Sequence, residues 1–87
     1  MSTLERACAA AGIEIKRGLL GRYATDGDLR CRISAPEFED WLMAALMEAV
    51  AASPRALAGY HRRTLYFQRD ADARMAAAVS ALEEVKQ

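Results

Sequence analysis

The spacing of the hydrophobic residues changes at Ile13, and this change constrains the fold more than any other feature of the sequence. Before Ile13, apolar residues recur every three or four positions, as on one side of a helix. After it they alternate with charged residues, as in a strand. A chain of 87 residues has room for one domain, residues 1–87, and for one core. The sequence therefore predicts a single small domain that combines helices and strands.

The first twelve residues predict a short helix over residues 3–11. Ser2 and Glu5 have the spacing of a capping box, in which a hydroxyl and a carboxylate bind each other's free backbone N–H groups. Gly12 fits the left-handed position that ends many helices. The helix is thus expected to end just before the alternating segment.

Two strands are predicted next. Alternation places the first over residues 13–23, bent or bulged at Gly18 and Gly21, and the second over residues 29–33. A three-residue loop between them, with Gly27 in a left-handed bulge position, keeps the apolar residues on one face. The neighbours across this pair are then Tyr23 with Leu29, Leu19 with Ile33, and Arg22 with Arg30.

Two helical segments and a further strand complete the prediction. A long helix is expected over residues 36–58, kinked or divided at Pro54, followed by a strand over residues 64–69. Asp70 or Asp72 then caps a last helix. The apolar stripe of the long helix consists of Phe38, Trp41, Leu42, Ala45, Leu46 and Ala49. Met43 and Met47 are expected in the core beside it, with contact to a partner as the alternative.

The predicted order of elements is α-β-β-α-β-α. Three strands and few helices favour an α+β fold, a two-layer sandwich with a three-stranded sheet and helices on one face. The connection through the long helix should be right-handed, which makes the last strand parallel to its neighbour and favours the strand order 2-1-3.

The neutral total charge hides a separation of charge along the chain. Residues 13–33 carry a net charge of +2 and residues 53–69 a net charge of +4. Residues 34–52 carry −4, and residues 70–87 carry −2. The strands and their loops are therefore expected to be basic, and the helical layer acidic.

Basic side chains from separate strands are expected to gather on the face that the helices leave open. This candidate binding surface comprises Lys16, Arg22, Arg30, Arg32, Arg62 and Tyr66, with Leu20 among them and a neighbouring basic turn of Tyr60, His61, Arg62 and Arg63. Arginine and tyrosine are typical of protein contact surfaces. An ordinary solvated sheet face, on which arginines keep edge strands soluble, is the alternative.

The sequence contains no pattern that favours catalysis, a metal or a cofactor. His61 is the only histidine and has arginines beside it, which makes it a poor general base. Cys8 and Cys31 lie at core-facing positions, and they lack the spacing of a metal site or of a disulfide framework. Both are interpreted as small buried residues of a reduced, cytoplasmic protein.

A non-enzymatic module that binds a protein with an acidic surface is the leading hypothesis. In size and character alone the chain is similar to phage or mobile-element accessory factors that inhibit a host complex, such as anti-CRISPR proteins. Nucleic-acid binding by the same arginine-rich face is one alternative, although the chain has no excess of Lys and Arg. A structural subunit or homodimer is another. No apolar run reaches the length of a membrane span, so no membrane partner is expected.

Overall fold

The computed structural model describes residues 2–65 and 70–86, and it has four helices and three strands in that part of the chain. In chain order these are α1 (Thr3–Ala10), β1 (Glu14–Gly18), β2 (Gly21–Thr25), β3 (Arg30–Arg32), α2 (Phe38–Ala51), α3 (Pro54–Thr64) and α4 (Ala71–Lys86). The predicted α+β class, with a three-stranded sheet, is confirmed. The order of elements differs from the prediction, because all three strands precede the second helix.

The segment predicted as one bent strand forms a hairpin. Gly18 pairs with Gly21, and Leu19 and Leu20 make the turn between β1 and β2. Gly21 has a φ of 113°, which glycine adopts without the steric cost that a side chain would add. The sheet is antiparallel throughout and its strands lie in the order β1-β2-β3. The predicted parallel crossover and the order 2-1-3 are therefore wrong.

The loop between β2 and β3 also differs from the prediction. It contains the four residues 26–29, and the carboxylate of Asp26 accepts hydrogen bonds from the backbone N–H groups of Asp28 and Leu29 at 3.2 and 2.8 Å. Gly27, with a φ of 106°, takes the positive-φ position predicted for it. The register pairs Tyr23 with Arg32, Ala24 with Cys31, and Thr25 with Arg30. The predicted partners of Tyr23 and Leu19 are therefore wrong.

One face of the sheet packs against the helices. Ile15, Ala24 and Cys31 lie side by side on this face, and they belong to or pack against the core. Ala24 is completely buried, because α1 packs against β1 and α2 packs against β3 on either side of it. The predicted inward orientation of Ile13 and Ile15 is confirmed.

The helices supply most of the core. Leu42, Leu46 and Val50 of α2 are fully buried, and α4 packs against each of the other three helices. Small residues of α4, among them the buried Ala78 and Ala81, leave room for this close approach. Among the described residues, no helix is long and apolar enough to cross a membrane.

The predicted long helix is divided in two, as expected at Pro54. Pro54 opens α3, where its missing N–H group costs nothing, but α3 continues to Thr64 rather than ending near residue 58. The basic residues 61–63 in the last turn favour this extension, because they interact well with the negative end of the helix dipole. The strand predicted over residues 64–69 is wrong at Thr64, and residues 66–69 lie outside the described residues.

Three helix ends follow the predicted chemistry, whereas α2 begins at Phe38 rather than at residue 36 and has no side-chain cap. The hydroxyl of Ser2 accepts a hydrogen bond from the N–H of Glu5, and Gly12 ends α1 with a φ of 75°. Asp70 is the residue that caps α4, because its carboxylate accepts from the N–H groups of residues 72 and 73. At these three helix ends the residues predicted from the sequence occupy the predicted positions.

The large side chains of α2 do not all reach the core. Phe38 is buried and lies 6.1 Å, centroid to centroid, from the ring of Trp41, which is only half-buried. Met43 is buried, as predicted, but Met47 is 49% exposed. The preferred prediction that Met47 lies in the core is therefore wrong, because Met47 lies outside the buried stripe of Leu42, Leu46 and Val50.

Replacement of Leu46 by alanine should test the central position of α2. We expect Leu46→Ala to lower the free energy of unfolding by about 2–5 kcal/mol, because it removes a fully buried side chain and leaves a cavity. Met47→Ala is the matched control one residue along, and it should change the free energy by no more than about 0.5 kcal/mol. Urea denaturation followed by circular dichroism gives both values, and equal losses would contradict this packing.

Candidate functional site

The sheet has a second face, which the helices leave open. Because side chains alternate along a strand, the residues next to Ile15, Ala24 and Cys31 point the other way. The register therefore brings Lys16, Tyr23 and Arg32 into one row across the three strands, and Glu14, Thr25 and Arg30 into the next. We call the surface formed by Lys16, Tyr23, Arg30 and Arg32 the outer face.

Tyr23 is the centre of the outer face. Its ring packs over Gly18, where an added Cβ atom would come within 3.2 Å of the ring. On the other side of the row, the guanidinium carbon of Arg30 lies 5.6 Å from the ring centroid, a distance at which a cation is attracted to an aromatic face. The half-buried ring of Tyr23 thus restricts the guanidinium group of Arg30, which is otherwise exposed.

Two grooves border this ring. One, of about 210 Å³, lies toward the loop after β2 and is lined by Gly12, Glu14, Lys16, Tyr23, Thr25, Asp26, Gly27 and Arg30. The other, of about 660 Å³, lies toward the hairpin tip, formed by Leu19 and Leu20, and is lined by both leucines, Gly18, Gly21, Arg22, Tyr23, Arg30 and Arg32. The second groove combines an apolar floor with arginines around it.

The arginines of the sheet have no carboxylate partner among the described residues. The ion pairs in that part of the chain join Arg6 to Glu83 at 2.6 Å, Lys16 to Glu14 at 3.7 Å, and Arg63 to Glu84. Arg30 and Arg32 therefore keep their charge available on an exposed surface. Exposed acids lie nearby as well, namely Glu14, Asp26, Asp28 and Glu37.

Three of the predicted sheet residues belong to the outer face, and one does not. Lys16, Arg30 and Arg32 are brought together as predicted. Arg22 lies opposite Arg17 and on the same side as Ala24, so its predicted place beside Arg30 is wrong. Its side chain is exposed and lines the groove at the hairpin tip, where Arg17, Gly18 and Gly21 are exposed as well.

The predicted basic turn at residues 60–63 is the end of α3. Tyr60 is buried and its hydroxyl donates to the sulfur of Met43 at 3.7 Å, so its predicted role as an exposed contact residue is wrong. Arg63 pairs with Glu84 of α4. His61 and Arg62 are exposed, but on a helix that packs mainly against α4 and α2, so the predicted position of Arg62 on the sheet is also wrong. Tyr66 lies outside the described residues.

Sequence reasoning missed Tyr23, which is half-buried on the outer face, and Leu19, which is exposed at the hairpin tip. Both were expected in the core, because they lie on the same parity as Ile13 and Ile15 in an unbroken strand. The signal that identifies the hairpin is the pair Gly18 and Gly21, two glycines separated by two residues inside an alternating segment. A two-residue turn there reverses the chain and changes which residues share a face.

The cysteines do not contribute to the outer face. Cys8 is buried, and Cys31 is half-buried on the side of the sheet that meets the helices. Burial raises the pKa of the Cys8 thiol, and burial together with the nearby Glu37 raises the pKa of Cys31. Within the described residues, no three His, Cys, Asp or Glu side chains are grouped so that they could hold a metal ion.

The fold and this face define a small α+β protein with an antiparallel three-stranded sheet, one side of which packs on helices while the other is basic and exposed. No protein-family model matches the sequence, and no curated protein and no solved structure matches it either.

The two thiols should differ in reactivity in a way that reports this geometry. We expect Cys31 to react with iodoacetamide faster than Cys8, since Cys8 is buried and is reached only when the fold opens. Because both pKa values lie above the ordinary 9.0, both rates should be low at pH 7.5 and should rise with pH as thiolate forms. Mass spectrometry of tryptic peptides measures each rate, and the Cys8→Ala variant should retain only the faster phase. Equal labelling of the two cysteines would contradict the assigned burial.

Proposed function

We propose that this protein is a non-enzymatic binding module that attaches to an acidic surface of another protein through the outer face of its sheet. The observation that carries the proposal is the convergence of Lys16, Arg30 and Arg32 around the exposed side of Tyr23. Arginine and tyrosine contribute much of the binding energy at protein interfaces, because both combine a large contact area with directional hydrogen bonds.

The rigid backbone of the sheet supports this role. Arg30 and Arg32 are held at fixed spacing by pairing with Thr25 and Tyr23, and the ring of Tyr23 restricts Arg30 further. A contact residue that is already ordered loses less conformational entropy when it binds. The face is thus suited to recognise a fixed arrangement of carboxylates.

A protein partner fits the surroundings of this face better than a nucleic acid. Leu19 and Leu20 expose apolar side chains at the hairpin tip, beside the arginines. Glu14 and Glu37 lie at the margins of the same surface, so the face carries charges of both signs. Exposed leucines surrounded by charges of both signs are typical of a protein–protein interface.

Such a contact needs no reacting group on this chain. The outer face offers cations, an aromatic ring and backbone, and the exposed His61 lies apart from it on α3. Covering an acidic surface on a host complex, the role suggested by analogy with phage accessory proteins, would require only this attachment.

Charge reversal on β3 should remove partner binding and leave the fold intact. We expect the double variant Arg30→Glu/Arg32→Glu to lose proteins that the unchanged chain retains on an affinity column loaded with lysate of the source cells. Arg55→Glu, an exposed arginine of α3, is the control, and it should retain them. The thermal midpoint of the double variant should change little, because neither arginine forms an ion pair with a described residue. Retention by the double variant would remove the outer face as the binding site.

Affinity for nucleic acid should be weak, and this separates the two classes of partner. We expect fluorescence anisotropy with random single-stranded and double-stranded oligonucleotides to show no binding at physiological salt. Any binding at low salt should vanish steeply as salt is added, and it should not depend on Leu19 and Leu20. Tight binding at physiological salt that the double variant loses would favour nucleic acid as the partner instead.

A further inference from the structure

The backbone hydrogen bonds of β3 show which of its N–H and C=O groups point toward β2 and which point away from the sheet. In an antiparallel pair, each strand directs the N–H and C=O groups of alternate residues toward its partner. Ile33 donates to the carbonyl of Arg22 at 3.2 Å, and Asp26 donates to the carbonyl of Leu29 at 3.3 Å. These two bonds fix the alternation, so residues 29, 31 and 33 bond toward β2.

Arg30 and Arg32 therefore direct their backbone groups away from the sheet. The strand order β1-β2-β3 makes β3 an edge of this sheet. The carbonyl of Arg32 is occupied by the N–H of Ala35, at 2.9 Å. The N–H and C=O of Arg30 and the N–H of Arg32 remain at the edge, with no backbone partner among the described residues. Three hydrogen-bonding groups in a row can bind one further extended chain.

A groove runs along this edge. It has a volume of about 420 Å³ and is lined by Arg30, Cys31, Arg32, Ser34, Ala35, Pro36 and Glu37. The turn after β3 forms its far wall, because Ala35 folds back onto Arg32. An extended backbone placed in the groove would lie beside β3 rather than over it.

The side chains of β3 determine which chain can pair there. Residues that pair across a sheet place their side chains next to each other, and like charges in that position destabilise the pairing. A second copy of β3, laid against the first, would bring two pairs of arginines together. An acidic strand would instead place carboxylates beside Arg30 and Arg32 on the outer face. The charge thus disfavours self-association through this edge and favours a partner of opposite sign.

We propose that β3 binds an extended acidic segment of another protein as a fourth strand of the sheet. This inference rests on the proposed function and specifies it further. The partner contributes backbone hydrogen bonds to Arg30 and Arg32, and acidic residues at alternate positions along its strand face the same arginines. Recognition then depends on the extended backbone of the partner as well as on its charge.

A synthetic probe tests this directly. The probe is a seven-residue peptide with blocked ends in which glutamates alternate with valines, and it carries a fluorophore for anisotropy measurements. We expect saturable binding to the full chain, and slower hydrogen exchange at the amides of Arg30 and Arg32 when the peptide is present. N-methylation of alternate peptide bonds in one phase should weaken binding by about tenfold or more, since it removes the bonds to β3. N-methylation in the other phase should change the affinity much less.

Variants of the protein complete the test. Arg30→Glu/Arg32→Glu should abolish binding of the peptide, whereas Arg17→Glu on β1, the other edge strand, should weaken it only slightly. Equal affinity of the two N-methylated peptides would overturn strand addition while leaving the proposed acidic contact intact. Absence of peptide binding would also overturn it, without affecting the result of the affinity column. Protection of Arg30 in the free protein together with a doubled mass in light scattering would identify a second copy as the occupant, against this proposal.

Discussion

The pairing of Ala24 with Cys31, beside Ile15, is the interaction on which the rest of the sheet depends. These three residues form the row that packs under α1 and α2, and Ala24 is completely buried there. Ala24 lies on the middle strand, between the places where α1 packs against β1 and α2 packs against β3. Once this row faces inward, alternation directs Tyr23, Arg30 and Arg32 outward. The exposed basic outer face is therefore a consequence of how the sheet meets the core.

The helices depend mainly on residues that are neighbours in the sequence, so they could be predicted more fully than the sheet. The apolar stripe of α2, the division at Pro54 and the cap at Asp70 depend on neighbouring residues alone. The α+β class also followed from the change in period at Ile13. The end of α3 could not be placed in this way, because Gly59 fits a helix stop and the residues from Thr64 onward alternate as in a strand. Its basic last turn and the buried Tyr60 stabilise a helix there instead.

The sheet was harder to predict, because its register depends on two turns at once. The carboxylate of Asp26 holds a four-residue loop, one residue longer than expected, and Gly21 permits a hairpin where a bent strand was expected. A change of register by an odd number of residues exchanges the two faces of a strand. Lys16, Arg30 and Arg32 kept their predicted side, whereas Tyr23 and Arg22 exchanged theirs. Sequence alternation alone cannot select between such registers, since both place apolar residues together.

β3 belongs both to the outer face and to an edge of the sheet. Arg30 and Arg32 direct their side chains to the outer face and their backbone groups to an edge that no other described strand covers. The same two residues would therefore take part in both of the proposed contacts. An open edge is a risk for aggregation, and charged residues on a short strand are a common protection against it. Here the protecting charges are arginines, which repel a second copy of β3 but attract the carboxylates of a different chain. The predicted acidic helical layer is wrong at α3, where Arg55 and Arg62 are exposed. Attraction of an acidic partner therefore depends on the local charge of Arg30 and Arg32 rather than on a separation of charge between the two layers.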